Sequence, residues 1–192
     1  MNKKIIYFVQ ILFIYFISTT TSSADLQKNL INKIVKINTL SFNFKQQIGD
    51  KEEIGKCIIK YPLLMKCDYF NVKQKVLISN GRTLAVIKKK YKKIYLYPIK
   101  RTPLFIILNK DKIINLIKEN KVEQINSDLI SFSYIEKGNT YLKILFDKNS
   151  LELKGWQTVD SYSNDVNFII NDIIINNSFE DNLFKIPKES EL

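Results

Sequence analysis

The stretch CIIKYPLLMKC, Cys57 to Cys67, holds both cysteines of a 192-residue chain, ten positions apart about a Tyr-Pro step. Thiols so placed can hold a metal, exchange electrons or form part of a wall. A structural zinc site takes four ligands, mostly Cys and His, and this chain has no histidine and no third cysteine. The spacing is not the C-x-x-C of a redox motif. The lack of histidine also removes Ser-His and Cys-His nucleophilic pairs. Carboxylate pairs such as Glu52 with Glu53, or Asp160 with Asp165, could do acid/base work, but nothing beside them marks them as catalytic. No enzyme activity, metal or cofactor is expected.

The compartment follows from the first residues. MNKK leads into IIYFVQILFIYFIS and then TTTSSA, which reads as a basic start, an apolar stretch and a small-residue cleavage site. We expect a signal peptide over residues 1–24, cut after Ala24. The apolar part, about 14 residues, is short against the ~20 needed to span a bilayer as an uncleaved anchor. Residues 25–192 then form one exported domain, with no internal repeat or linker to divide it. The formal charge is +11, or +9 once Lys3 and Lys4 are removed. The run KKKYKK, Lys88 to Lys93, is either a solvated strand end or an attractor of phosphates and anionic lipid. No nucleic acid is expected among the partners.

Around the cysteines the chain is organised as strands. Residues 25–37 first give one amphipathic helix, with Leu26, Leu30, Ile31, Ile34 and Val35 at helical spacing. From Phe42 and Phe44 the period changes to two. Strands are predicted at about 41–48, 52–60, 65–71, 74–79, 82–88, 91–97, 121–126, 129–136, 140–147, 151–159 and 166–175, with a terminal piece near 179–186. Asn80-Gly81 signals a tight hairpin. Residues 98–120 interrupt the series with two short helices carrying Leu104, Ile107 and Leu108, then Ile113, Ile114 and Ile117; Asp111 is the expected N-cap and Asn120 the stop. The fold class is α+β: eleven or twelve short strands indicate one large antiparallel sheet, curled or closed to hide its apolar face, with the helices either covering one side of it or completing the core.

In order and spacing these residues resemble the periplasmic outer-membrane lipoprotein carriers of the Lol system. The matching pieces are Phe44-Lys45-Gln46 closing a strand, Gly55 ahead of Lys60-Tyr61-Pro62, Ser79-Asn80-Gly81-Arg82-Thr83-Leu84, Thr102-Pro103-Leu104, Leu153-Lys154-Gly155-Trp156 to Asp160, and Asn176 to Phe179. The resemblance implies an incomplete β-barrel, a single large curved antiparallel sheet of about 11 strands covered by an N-terminal helix and short lid helices, whose apolar cavity holds lipoprotein acyl chains in the periplasm. It also implies a monomer that takes cargo from an inner-membrane lipoprotein-releasing transporter, and an outer-membrane receptor or the membrane itself as acceptor. The lid would be Leu104, Ile107, Leu108, Ile113, Ile114 and Ile117.

With YPLL as the turn, a hairpin whose paired positions sum to 124 sets Cys57 opposite Cys67 and Ile59 opposite Met65. Gly55, Cys57, Ile59, Tyr61, Met65, Cys67 and Tyr69 then share the inner face. With Phe42 and Phe44 they are the expected cavity wall. The cysteines would be neighbours in an oxidising compartment, within reach of a cross-strand disulfide. The family has Arg before the proline, pointing inward to hydrogen-bond the lid; Tyr61 stands there instead, with one neutral hydrogen bond to offer. That departure keeps open a same-fold protein that binds another lipid or senses lipoproteins. A hydrolase or a structural envelope protein is less well supported by the residues.

Overall fold

The computed structural model describes residues 23–136, 139–160 and 163–192. The leader expected over 1–24 lies outside them but for its last two residues. Helix α1 (Ser23–Val35) buries Leu30 and Ile34, half-buries Leu26 and Ile31, and leaves Val35 exposed. Asp25 in its first turn and Lys33 in its last suit the helix dipole.

Eleven strands follow: β1 (Thr39–Ile48), β2 (Lys51–Lys60), β3 (Leu64–Tyr69), β4 (Lys75–Asn80), β5 (Thr83–Lys88), β6 (Lys93–Pro98), β7 (Glu123–Gln124), β8 (Leu129–Glu136), β9 (Asn139–Asp147), β10 (Leu153–Val159) and β11 (Asp165–Ile175). They make one antiparallel sheet in the order β6-β5-β4-β3-β2-β1-β11-β10-β9-β8-β7, open between β6 and β7. The chain thus starts mid-sheet, builds outward to β6, crosses through helices α2 (Leu104–Ile107) and α3 (Lys110–Glu119), and returns inward from β7 to β11. Strict alternation drives this. In β1, Leu40, Phe42, Phe44 and Gln46 are buried while Ser41, Asn43 and Lys45 are only half-buried.

Three expectations are corrected. The piece near 179–186 is not a strand but a 3-10 turn, Asp181–Phe184, on a tail that crosses the outer face. Ile186 and Leu192 of that tail pack on a small outer cluster of Val76, Ile78, Ala85 and Ile87. Helix α3 is capped by Asn109 rather than Asp111: the Asn109 side chain accepts from the backbone N–H groups of Asp111 (3.0 Å) and Lys112 (3.3 Å). Asn120 ends the helix as expected. Finally, the predicted strand at 121–126 shrinks to the two residues of β7.

The helices sit on the inner face. Gln27 of α1 donates to the carbonyls of Ile117 (2.6 Å) and Asn120 (2.8 Å), which satisfies free acceptors at the end of α3. No helix among the described residues is long and apolar enough to cross a membrane.

Candidate ligand cavity on the inner face

The inner hairpin positions are set by the turn at Tyr61–Leu63. Cys57 pairs with Cys67, Ile59 with Met65 and Gly55 with Tyr69. The two cysteines are joined as a disulfide, with Cα atoms 4.1 Å apart. Gly55 is required by its neighbour: a Cβ there would lie 2.7 Å from the Phe44 ring and 2.2 Å from the Asp68 carbonyl oxygen. Without it Phe44 lies flat across β2.

An apolar cavity of about 260 Å³ opens on this face. Met65, Cys67 and Tyr69 of β3 form one wall, Leu77 and Leu84 extend it, and Trp156, Val159, Val166 and Phe168 close the opposite side. Thr102, Pro103 and Leu104 roof it. Three of its lining rings, Trp156, Phe168 and Tyr69, are backed by the Phe44 ring buried behind them. Trp156 stacks on Phe168 at 4.0 Å and 7°, Phe168 on Phe44 at 4.6 Å and 19°, and Tyr69 meets Phe44 edge-on at 4.7 Å. Gly155, at φ +143°, lets the chain bring Trp156 this close, since a Cβ would fall 1.9 Å from the Phe168 carbonyl oxygen.

The expected wall is therefore divided. Met65, Cys67 and Tyr69 line the cavity, whereas Phe42, Phe44, Cys57 and Ile59 are buried on the same face away from its surface. Tyr61 lines a separate pocket of about 90 Å³ at the other end, with Ile34, Ile37, Ile113 and Leu151. Its hydroxyl has no hydrogen-bond partner among the described residues, and Lys110 Nζ lies 5.9 Å from its ring centre. Burial pushes its phenol well above the ordinary tyrosine range.

The proposed lid residues also separate. Leu104 faces the cavity and is half-buried; Ile107, Leu108, Ile113 and Ile117 are core residues no more than 4% exposed, and Ile114 is half-buried. The half of the wall that local reasoning missed comes from β10 and β11. Its signal was the Leu153-Lys154-Gly155-Trp156 motif together with alternation of Val166, Phe168 and Ile170.

One end of the cavity is polar. Tyr69 donates to Gln46 Oε1 at 2.6 Å, and Asn71 donates to Glu53 at 2.6 Å. Lys75 pairs with Glu53 and lies 3.7 Å over the Tyr69 ring. Burial lowers the Lys75 ammonium, and Glu53 opposes that by hydrogen bond and charge. Burial raises the Tyr69 phenol, with the Glu53 charge adding to it. Among the described residues no group of three or more His, Cys, Asp or Glu could hold a metal.

An open antiparallel sheet curled over an apolar cavity and roofed from one side is an incomplete-barrel fold of the binding kind. The chain belongs to the outer membrane lipoprotein carrier protein LolA family, whose profile matches residues 35–187. A crystal structure of an uncharacterized conserved protein from Thermus thermophilus is similar over 87% of this chain and 96% of its own, at 9% identity and a TM-score of 0.50. That likeness shows a shared fold. A LolA superfamily protein from Nitrosomonas europaea is similar over 83% of this chain and 97% of its own, at 9% identity and a TM-score of 0.43. No curated protein matches the chain.

Proposed function

We propose that this protein is exported to the periplasm after removal of residues 1–24 and carries the acyl chains of lipoproteins from the inner to the outer membrane. The observation that carries this reading is the apolar cavity of about 260 Å³ under Leu104, in a chain of the LolA family. Acyl chains exposed to water cost about 0.8 kcal/mol per CH₂, so a carrier must enclose them. Ligand pockets usually run to roughly 300–1,000 Å³, so this one must widen to take a full load. Movement of Leu104 and α2 would do that without unmaking the sheet.

In this reading the protein acts as a monomer, receives cargo from a releasing transporter in the inner membrane, and passes it to an outer-membrane acceptor. It needs no covalent chemistry and no cofactor. Depleting the protein should leave outer-membrane lipoproteins stranded in the inner membrane. Normal sorting after depletion would rule the carrier role out.

Tyr61 favours a second reading, a same-fold protein for another lipid, because the family's charged latch is replaced by a phenol with no hydrogen bond. Lipid analysis of protein purified from the periplasm distinguishes the two: lipoprotein in the cavity supports the first, a free lipid the second.

A further inference from the structure

Of the 30 Lys and Arg residues eleven lie from Tyr69 through Lys110, and none of the 19 Asp and Glu residues does. The remainder of the chain is balanced at 19 of each, so this one segment carries the whole net charge of +11. A genome-wide taste for lysine would spread the excess evenly. The segment folds as β4, β5, β6 and α2 and reaches the first residue of α3, and its β6 is the free edge of the sheet.

Lys89, Lys90, Lys92 and Lys93 are exposed on the β5–β6 turn, and large apolar side chains are exposed among them: Tyr91 at 54% and Leu96 at 61%. Tyr95 and Tyr97 are also exposed, on the face opposite Leu96. Among the described residues, carboxylates that meet this flank include Glu53, which is held by Lys75, and Glu189, which accepts from the Ile94 N–H at 3.0 Å, and the C-terminal residue Leu192 packs beside them. The register places the turn relative to the cavity. Lys75 pairs with Lys88 and Lys88 with Lys93, so the basic turn stands at the sheet end where Gln46, Tyr69 and Lys75 form the polar rim.

We infer that the β5–β6 turn and the β6 edge dock on the surface of an anionic lipid bilayer. Exposed lysines are drawn to anionic headgroups, and tyrosines are amphipathic rings that settle at headgroup level. A protein interface would accept the tyrosines and leucine but is ordinarily depleted in lysine, whereas an anionic headgroup layer suits both. Docking this way turns the polar rim of the cavity toward the membrane, which would shorten the path of an acyl chain; that clause alone rests on the carrier reading.

Sedimentation with vesicles tests the surface directly. Wild-type protein should pellet with phosphatidylcholine mixed with phosphatidylglycerol, release in high salt, and stay in solution with phosphatidylcholine alone. Each lysine near such a surface is worth about five-fold in partitioning, so K89Q/K90Q/K92Q/K93Q should bind at least roughly a hundred-fold more weakly. Tyr91→Ser with Leu96→Ser should leave the residual binding more sensitive to salt. The matched variant K28Q/K112Q/K118Q/K121Q, also exposed but away from the turn, should bind like wild type. If it falls as far as the turn variant, the attraction is diffuse and the proposal fails. If neither vesicle binds wild type, the proposal fails and the cations are left to an acidic protein. An acyl probe in solution separates this from the carrier reading, because none of the turn side chains lines the cavity and probe affinity should be unchanged in the turn variant.

Discussion

The backbone N–H of Leu63 donates to the carbonyl of Leu108 at 2.8 Å, tying the turn after Tyr61-Pro62 to the segment between α2 and α3. The Leu63 carbonyl in turn accepts from Ser79 Oγ at 2.6 Å, and Ser79 is fully buried. Strand turn and helical segment are thus joined through the main chain. Ser79→Ala removes the support of that turn at a cost of about 1 kcal/mol. Exchange of the Leu63 amide should then quicken about five-fold, and an unchanged rate would mean the turn does not hold the cover.

Tyr61→Phe should alter acyl-probe affinity by less than about two-fold, because the hydroxyl it removes has no partner. Tyr61→Arg does not restore a latch. The new cation would share its pocket with Lys33, near Lys110, and among the described residues Glu152 is the one carboxylate lining it. The expected result is a loss of roughly 1 kcal/mol that shrinks as salt rises, since screening weakens like-charge repulsion. A thermal melt at two ionic strengths checks it.

The face shared by Cys57, Ile59, Met65, Cys67 and Tyr69 was legible because a period of two and one turn fix the pairing of neighbouring strands. The opposite wall was not. Trp156 and Phe168 reach the cavity only because β11 joins β1 across more than a hundred residues, and local periodicity carries no such information. Residues 179–186 misled for a related reason. Phe179, Leu183, Phe184 and Ile186 are apolar enough for a strand, but both edges of β1 are taken by β2 and β11, so Phe184 is buried in a 3-10 turn and Ile186 packs on the outer cluster instead.

The cover should be tested at Leu104. Ile117 is fully buried in the main core, so Ile117→Asp strands a charge there, costs several kcal/mol and unfolds the protein. Leu104→Asp puts its charge on a half-buried cavity roof. Probe affinity should fall at least about ten-fold while the melt shifts by no more than about 1–2 kcal/mol. Wild-type affinity in Leu104→Asp would make α2 a packing element only.

A disulfide between residues ten apart closes a short loop and contributes on the order of 2–3 kcal/mol. Replacing both Cys57 and Cys67 by Ser should lower stability by about that amount, with the cavity wall changed only at position 67. Intact-mass measurement of periplasmic protein before and after reduction gives the direct test. Two free thiols in that material would exclude the bridge.

Glu53→Gln tests the polar rim through its pH dependence. Lys75 is already held below the usual lysine value of 10.5, first by burial, with Glu53 acting to raise it. Between its folded value and 10.5 the unfolded chain binds a proton that the folded chain does not, so stability rises with pH in that window. Removing the Glu53 charge removes what raises Lys75, so the folded value drops further and the window widens toward neutrality. At pH 7 the variant should lose on the order of 2 kcal/mol, less than a fully buried pair would because both side chains keep some contact with water. As pH is raised toward about 10 it should regain more of its stability than wild type gains. Urea midpoints for the two proteins across that range decide the matter: parallel curves would mean that Glu53 does not neutralise Lys75, and that the ammonium reaches water on its own.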